Sequence, residues 1–285
     1  MEASEVRHVG VVGCGLMGSG IVEVCARAAL RVTFVEGSDD LAAAGRGRID
    51  ASISKAVERG KLEQVDAEAA LGRIDAATDL EALVGVDLVI EAATEDPVAK
   101  RGIFAELGKV TRPEVVLASN TSSIPIGDLA GASGRPDKVV GMHFFNPPPV
   151  MMLLELTPAA STSEETYEHV RAFGTDVLAK TCVRSSDQAG FIVNRLLIPY
   201  LFDAIRMYEG GFATREDIDT AIHLGLGHPM GPLALADLIG LDTVLAVGEV
   251  LHDAFGDPKY EPPALLRQMV ADGKLGRKSG SGFYG

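Results

Sequence analysis

Short apolar segments alternate with longer segments of helical periodicity over the first two thirds of the chain. Strand-like runs rich in valine, leucine and isoleucine occupy 9–12, 31–35, 86–90, 115–118 and 139–145. Buried strands of a parallel sheet have this uniformly apolar composition, and alternation of strand with helix is typical of an α/β fold. The pattern therefore predicts a Rossmann-type, doubly wound and mostly parallel sheet.

The pattern changes near residue 187. A helix over 163–179 and a short strand over 181–185 close the first region, and beyond residue 190 the apolar positions follow helical spacing alone. The segment 191–208 is apolar nearly all round, so we expect it to be buried on several faces. We predict an α/β domain over 1–187, with a helical insertion at about 41–73, and an all-α domain over 188–285. An apolar helical domain of this size predicts a homodimer formed through it.

Composition restricts the classes of partner and compartment. The chain has 40 acidic and 26 basic side chains and a formal net charge of −14, which disfavours nucleic acid and anionic membrane as partners. The three cysteines, Cys14, Cys25 and Cys182, are too scattered for a disulfide framework or a metal site, and we expect each to be buried. No stretch of about 18 uncharged apolar residues is present, so we predict a cytoplasmic protein without a bound metal.

The first strand leads into a glycine motif. Gly13, Gly15 and Gly18 have the G-x-G-x-x-G spacing and precede a helix-compatible run, and the second strand ends in Glu36. In such a turn the glycines allow a tight bend, close approach of a pyrophosphate and close helix packing, and an acid about 20 residues on binds the ribose. The motif predicts a dinucleotide site. A carboxylate at position 36 with no arginine beside it favours NAD over NADP.

Several predicted strands end in polar residues. Glu95, Asn120, Ser122 and His143 each follow or end an apolar run. Ligands of open parallel sheets lie outside the carboxyl ends of the strands, so we expect these four side chains to converge on one crevice with the glycine turn. Taken singly, serine and asparagine after a strand also serve as helix caps and turn residues.

A histidine and a glutamate lie in two consecutive apolar runs. His143 stands in VVGMHFF and Glu155 in MMLLELT, with the turn Asn146-Pro-Pro-Pro149 between them. A buried carboxylate needs a partner, and an imidazole bonded to a carboxylate has a fixed tautomer and a more basic second nitrogen. The sequence predicts that the two side chains pair.

The predicted helical insertion is unusually basic for so acidic a chain. Arg46, Arg48, Lys55, Arg59 and Lys61 lie within twenty residues. Such a run is compatible with an ordinary solvated helix face. It is equally compatible with an arm that neutralises the phosphates of a large anionic substrate.

These motifs together identify a family resemblance over essentially the full length. The chain resembles the L-3-hydroxyacyl-CoA dehydrogenases, and within them the bacterial 3-hydroxybutyryl-CoA dehydrogenases. The matching blocks are VGVVGCGLMGSG, SNTSSIPI, VVGMHFFNPPPVMMLLELT, AGFIVNRLLIPYLFDA, GHPMGPLALADLIGLD and GRKSGSGFYG.

The resemblance implies roles for individual residues. The catalytic set falls on Ser122, His143, Glu155 and Asn194. The implied NAD-binding residues are Gly13, Gly15, Leu16, Met17, Gly18, Glu36, Ala93, Glu95, Lys100, Asn120, Ser122 and Asn146. For the CoA thioester substrate it implies Ser52, Arg59 and Lys61 around the CoA moiety, with Ser122, His143 and Asn194 at the reacting group.

The implied activity is NAD-dependent interconversion of a short (S)-3-hydroxyacyl-CoA, such as 3-hydroxybutyryl-CoA, with its 3-ketoacyl-CoA, acetoacetyl-CoA. A related dehydrogenase of a free hydroxy acid or sugar acid is the alternative, and it would have no use for the basic arm. A non-catalytic dinucleotide-binding protein is a further alternative, because a fold does not fix a function.

Overall fold

The computed structural model describes residues 5–284 and divides the chain into two compact units, 1–187 and 188–285. Eight strands are present in the described residues and all belong to the first unit, whereas the described part of the second unit consists of helices and short turns. Within the described residues, no helix combines the length and the apolarity needed to cross a membrane.

One eight-stranded sheet forms the centre of the first unit. Its strands are β1 (His8–Val12), β2 (Arg31–Val35), β3 (Ile74–Ala77), β4 (Leu88–Glu91), β5 (Val116–Ser119), β6 (Val139–Phe144), β7 (Leu153–Pro158) and β8 (Thr181–Arg184). Their order is β3-β2-β1-β4-β5-β6-β7-β8. Pairing is parallel from β3 to β6, antiparallel between β6 and β7, and parallel between β7 and β8. The prediction of a doubly wound, mostly parallel sheet is confirmed.

Six helices connect these strands, and three of them begin at a capping side chain. They are α1 (Leu16–Arg27), α2 (Asp39–Glu58), α3 (Gln64–Leu71), α4 (Pro97–Val110), α5 (Ile126–Ala132) and α6 (Glu164–Ala172), with 3₁₀ turns at Leu80–Leu83 and Pro136–Lys138. Side-chain oxygens of Ser38, Asp96 and Ser163 accept from the first-turn N–H groups of α2, α4 and α6. Such caps satisfy donors that a helix leaves unpaired, so they fix where each helix starts.

Two local predictions in this unit were wrong. Strand β3 was missed because it is short and lies at the sheet edge, where only Ile74 of its four residues is buried. In place of one helix predicted over 163–179, the α-helix ends at Ala172 and a π-helical turn, Phe173–Val177, follows it. Apolar periodicity does not distinguish an α-helical turn from a π-helical one.

The core of the first unit lies between the sheet and the helices that cover it. Strand side chains such as Val9, Val11 and Phe34 are fully buried and pack with Ile21 of α1 and Ile49 of α2 in one apolar cluster. Burying a side chain of this size contributes roughly 1.5–3 kcal/mol. The uniformly apolar strands follow from this, because both faces of the sheet are covered.

The second unit has a helical core of its own. Its helices are α7 (Val193–Glu209), α8 (Arg215–Leu226), α9 (Pro232–Ile239), α10 (Leu241–Phe255) and α11 (Ala264–Ala271), with 3₁₀ turns at Pro258–Tyr260 and Arg277–Ser279. Leu201 and Phe202 of α7 pack with Leu233 and Leu251 in this core. A Cβ on Gly248 would lie 2.3 Å from the Phe202 ring, so close helix packing depends on that glycine.

Two burial predictions need correction. Helix α7 buries one face, which includes Leu201 and Phe202, but Leu196 is 70% exposed. The prediction that this helix is buried on several faces is therefore wrong for the single chain. Cys14 and Cys25 are buried as predicted, whereas Cys182 is only partly buried.

Candidate active site

The turn between β1 and α1 requires glycine at two positions. Gly13 has a φ of +85°, and a Cβ there would lie 2.6 Å from the Cα of Ala93. A Cβ on Gly18 would lie 1.9 Å from the carbonyl oxygen of Gly13. At Gly15, the N-cap of α1, no atom lies within 4 Å of the Cβ position. The first and third glycines thus allow close packing, and the second leaves open space at a helix N-terminus.

Two charged side chains hold the backbone of this turn at Cys14. Glu36 Oε1 accepts from the Cys14 N–H at 2.6 Å, and Arg48 of α2 donates to the Cys14 carbonyl oxygen at 2.9 Å. Burial, reinforced by Glu36, raises the pKa of the Cys14 thiol to about 12. The thiol therefore stays neutral near pH 7. Sequence reasoning missed the contact of Arg48, because it depends on α2 folding back onto the turn.

The residues of this region fit a bound dinucleotide. The first turn of α1, which contains Leu16 and Met17, carries no acidic side chain that would repel a pyrophosphate. Its N–H groups and the open space at Gly15 suit an anion, since a helix N-terminus is a natural anion site. Glu36 is partly exposed at the end of β2, where its carboxylate can accept a hydrogen bond from a ribose hydroxyl.

His143 and Glu155 are paired across neighbouring strands. They are register partners in the antiparallel pair β6 and β7, and the distance from His143 Nδ1 to Glu155 Oε2 is 2.8 Å. Glu155 is completely buried and His143 is 7% exposed. A carboxylate on Nδ1 leaves Nε2 as the nitrogen that can exchange a proton with a ligand. The structure thus brings together the two side chains that the sequence predicted as a pair.

A second contact joins the end of β5 to the end of β6. Asn120 Oδ1 accepts from the N–H of Phe144 at 2.9 Å, directly beside His143. Asn146 follows on the exposed connection between β6 and β7. The ammonium of Lys180 donates to the carbonyl oxygens of Pro148 and Met151 in this connection, at 2.7 and 2.8 Å. Side chains thus support the backbone around the histidine from two directions.

Glu95 organises the segment that carries Ser122. Its Oε1 accepts from Thr121 Oγ1 at 2.5 Å, from the Ser122 N–H at 3.0 Å and from Ser123 Oγ at 3.1 Å. Three donors on one carboxylate oxygen form a strong, charge-assisted cluster. The structure therefore joins Glu95 to Ser122 and Asn120 to the histidine strand, at the carboxyl edge of the parallel strands.

Lys100 is buried behind this cluster, with 1% exposure. Its ammonium lies 2.7 Å from each carboxylate oxygen of Glu91 and 3.5 Å from Glu95 Oε2. Sequence reasoning missed Glu91. The signal that could have found it is the one that singled out Glu155, a carboxylate within a continuous apolar strand.

The remaining candidates are on other elements. Asn194 is in the first turn of α7, in the second unit. Ser52, Arg59 and Lys61 are exposed on α2 and the turn after it. Of the other basic residues of the insertion, Arg46 pairs with Asp50 and donates to two backbone carbonyls, so it is part of the scaffold.

Comparison with known proteins identifies the family. The model of the 3-hydroxyacyl-CoA dehydrogenase NAD-binding domain matches residues 8–188, and the model of the C-terminal domain of the same family matches residues 190–285. The chain belongs to the 3-hydroxyacyl-CoA dehydrogenase family. The family resemblance and the prediction of NAD as cofactor are thereby confirmed.

Individual relatives are similar over nearly their whole length. A 3-hydroxybutyryl-CoA dehydrogenase of Mycobacterium tuberculosis is 51% identical over 280 residues, which cover 98% of each chain. The crystal structure of FadB2 from M. tuberculosis superposes with a TM-score of 0.96 at 51% identity, covering 98% of each chain. The crystal structure of the (S)-3-hydroxybutyryl-CoA dehydrogenase PaaH1 from Ralstonia eutropha superposes with a TM-score of 0.92 at 44% identity, covering 98% of each chain.

Proposed function

We propose that this chain is an NAD-dependent dehydrogenase that interconverts short (S)-3-hydroxyacyl-CoA thioesters, 3-hydroxybutyryl-CoA in particular, with their 3-ketoacyl-CoA forms. The observation that carries the proposal is the pairing of His143 Nδ1 with the buried Glu155 at 2.8 Å. Membership in the 3-hydroxyacyl-CoA dehydrogenase family and the names of the two dehydrogenases described above support the substrate class.

In this proposal His143 is the general acid and base. Its Nε2 takes the proton of the 3-hydroxyl group during oxidation and returns it during reduction. Glu155 holds the ring through Nδ1 and stabilises the imidazolium that forms. Bound NAD supplies the hydride acceptor for oxidation and, as NADH, the hydride donor for reduction. Gly13, Gly15 and Gly18 shape the turn that would hold the cofactor.

The family resemblance assigns two further side chains to the reaction. The Ser122 hydroxyl and the Asn194 amide would bond to substrate oxygens and polarise the ketone, which is positioning and electrostatic stabilisation without a covalent intermediate. The exposed Arg59 and Lys61 would bind the CoA phosphates, with Ser52 beside them. In so acidic a chain, a local basic surface of this kind suits an anionic thioester.

The test is a substrate panel monitored by NADH absorbance. We expect rapid oxidation of NADH with acetoacetyl-CoA, much slower oxidation with free acetoacetate, and a lower kcat/KM with NADPH, which Glu36 repels. Equal turnover of free acetoacetate would instead support the free-acid dehydrogenase. Failure of every 3-ketoacyl-CoA tested would support a non-catalytic dinucleotide-binding protein.

The apolar surface of the second unit supports a homodimer. Leu196 on α7, Phe212 after it and Leu224 on α8 are each at least 70% exposed in the single chain. Exposed large apolar side chains on one unit are typical of a subunit interface. Light scattering of the full chain at micromolar concentration should give a dimer, and a uniform monomer would contradict it. A cytoplasmic location is part of this proposal, because three cysteines scattered along the chain are typical of a reducing compartment.

A further inference from the structure

Glu91 is a completely buried carboxylate at the end of β4, and the proposed reaction assigns it no role. Its Oε1 accepts from the Ala93 N–H at 2.7 Å, and its Oε2 accepts from Ser119 Oγ at 2.8 Å. Both oxygens also bind the ammonium of Lys100 at 2.7 Å. Both carboxylate oxygens of Glu91 therefore accept hydrogen bonds, so the buried charge is fully paired and its position is well defined.

The ammonium of Lys100 connects Glu91 to Glu95. It lies 3.5 Å from Glu95 Oε2 and is shielded from solvent. The Glu95 side chain itself is 44% exposed, so burial alone does not fix its position. An ion pair with a cation that is itself held by a buried anion restricts where the Glu95 carboxylate can lie.

Glu95 in turn fixes the segment 121–123. Its Oε1 receives the Thr121 hydroxyl, the Ser122 N–H and the Ser123 hydroxyl, so the position of Ser122 follows the position of this oxygen. Ser119, two residues before this segment, bonds directly to Glu91. Glu91 therefore contacts this part of the chain in two ways. One runs through Lys100 and Glu95, and the other is the direct hydrogen bond from Ser119.

Glu91 also reaches the glycine turn. It binds the N–H of Ala93, and Ala93 is the residue whose Cα would lie 2.6 Å from a Cβ on Gly13. One buried carboxylate therefore lies behind two elements of the site, the turn proposed for the cofactor and the segment of Ser122.

We propose that Glu91 is a positioning residue, which acts through Lys100 and Glu95 to hold Ser122 in place for the reaction. The kinetic consequence of this inference rests on the proposed function, and its geometry rests on the hydrogen bonds of Glu91, Lys100 and Glu95. Replacing Glu91 by glutamine leaves Lys100 without its anion. The ammonium then turns to Glu95 and draws that carboxylate away from the Ser122 N–H.

The first experiment follows backbone hydrogen exchange in the full chain without ligands. In Glu91→Gln we expect the amides of 122–124 to exchange about tenfold faster than in the wild type. The matched control is Glu23→Gln, which also removes a buried carboxylate from an ion pair, with Arg27 at 3.0 Å on α1. The control should leave these amides unchanged. Equal exchange in both variants would overturn the proposal.

A second variant covers the case in which Glu91→Gln does not fold. Glu91→Gln with Lys100→Met removes both charges and leaves no unpaired ion inside. It still cuts the link to Glu95, so the same amides should exchange faster. Unchanged exchange in the double variant would show that Glu95 holds Ser122 without help, and the proposal would fall.

The second experiment is kinetic and uses acetoacetyl-CoA with NADH. We expect Glu91→Gln to lower kcat about tenfold in the wild-type background but less than threefold in a Ser122→Ala background, since residues acting through one another are not additive. Additive losses would overturn the proposal, because a general structural defect lowers both backgrounds equally. If the wild type does not reduce the thioester, the proposed function fails, and hydrogen exchange alone then decides whether Glu91 positions Ser122.

Discussion

The histidine pair and the serine segment are positioned by different means. His143 and Glu155 are register partners on two hydrogen-bonded strands, so backbone pairing sets their separation before any side chain is considered. Ser122 lies after the end of β5, where no strand partner holds it, and side chains from Glu95, Lys100 and Glu91 determine its position.

The difference has a consequence for how each region responds to substitution. A pair fixed by strand register keeps its geometry when neighbouring side chains change, because many backbone hydrogen bonds must shift together to move it. A segment held by a charged network depends on each member, since a partly satisfied buried network loses more than one contact. We therefore expect substitutions of His143 or Glu155 themselves to impair proton transfer. Substitutions of residues that do not touch the substrate, such as Glu91, should disturb the position of Ser122.

The largest effect should come from the imidazole of the strand-borne pair. In His143→Gln we expect kcat for acetoacetyl-CoA reduction to fall by about 10² to 10⁴, the usual contribution of general acid-base catalysis. NADH affinity, measured by fluorescence titration, should change little, because glutamine leaves the glycine turn untouched. A kcat within a few fold of the wild type would show that His143 is not the proton-transferring group.

A smaller loss should follow from the partner of that imidazole. Glu155→Gln keeps a hydrogen-bond acceptor for Nδ1 but removes the charge, so kcat should fall less than in His143→Gln. If the two residues act as one unit, His143→Gln with Glu155→Gln should lose little more than His143→Gln alone. Fully additive losses of kcat in the double variant would mean that Glu155 is a structural carboxylate and not the partner of His143 in catalysis.

The connection between β6 and β7 tests whether strand register alone maintains the pair. Lys180→Met removes two hydrogen bonds to the carbonyls of Pro148 and Met151, so unfolding in urea should become easier by about 1–3 kcal/mol. Activity should change by less than about threefold, because the register of the strands does not depend on the connection. The matched control is Lys109→Met, an exposed lysine paired with Glu106, which should be neutral.

The same variant has a predicted pH dependence. Burial lowers the pKa of Lys180, and the nearby Arg27 lowers it further. The unfolded chain therefore binds more protons at this site between the lowered pKa and the ordinary lysine value, so wild-type stability rises with pH across that window. The stability difference between wild type and Lys180→Met should widen from neutral to alkaline pH. A constant difference would contradict the lowered pKa.

The smallest effect should come from the contact that joins the two regions. Asn120→Ala removes the acceptor of the Phe144 N–H, one hydrogen bond worth about 0.5–1.5 kcal/mol. Exchange of the Phe144 amide should speed up by a few fold, with the His143–Glu155 distance preserved by the register. Unchanged exchange would mean that the two regions are independent of each other.

The sequence alone determined the elements whose signal is local. Valine-rich runs, the glycine spacing and the capping residues predict strands, turn and helix starts, because each depends on residues a few positions apart. The pairing of His143 with Glu155 was also predictable, since two consecutive apolar strands separated by a proline turn tend to pair side by side. The interruption of one of them by a single carboxylate indicated the partner.

Only the tertiary structure decided which distant side chains meet. Glu91 and Ser119 are 28 positions apart, and Arg48 and Cys14 are 34 apart, so these contacts depend on strand order and on how a helix folds back. Edge strand β3 and the exposed Leu196 were misjudged for a related reason, because periodicity shows which residues are apolar but not what will cover them. Local pattern fixes the elements, whereas the packing of the whole chain determines their neighbours.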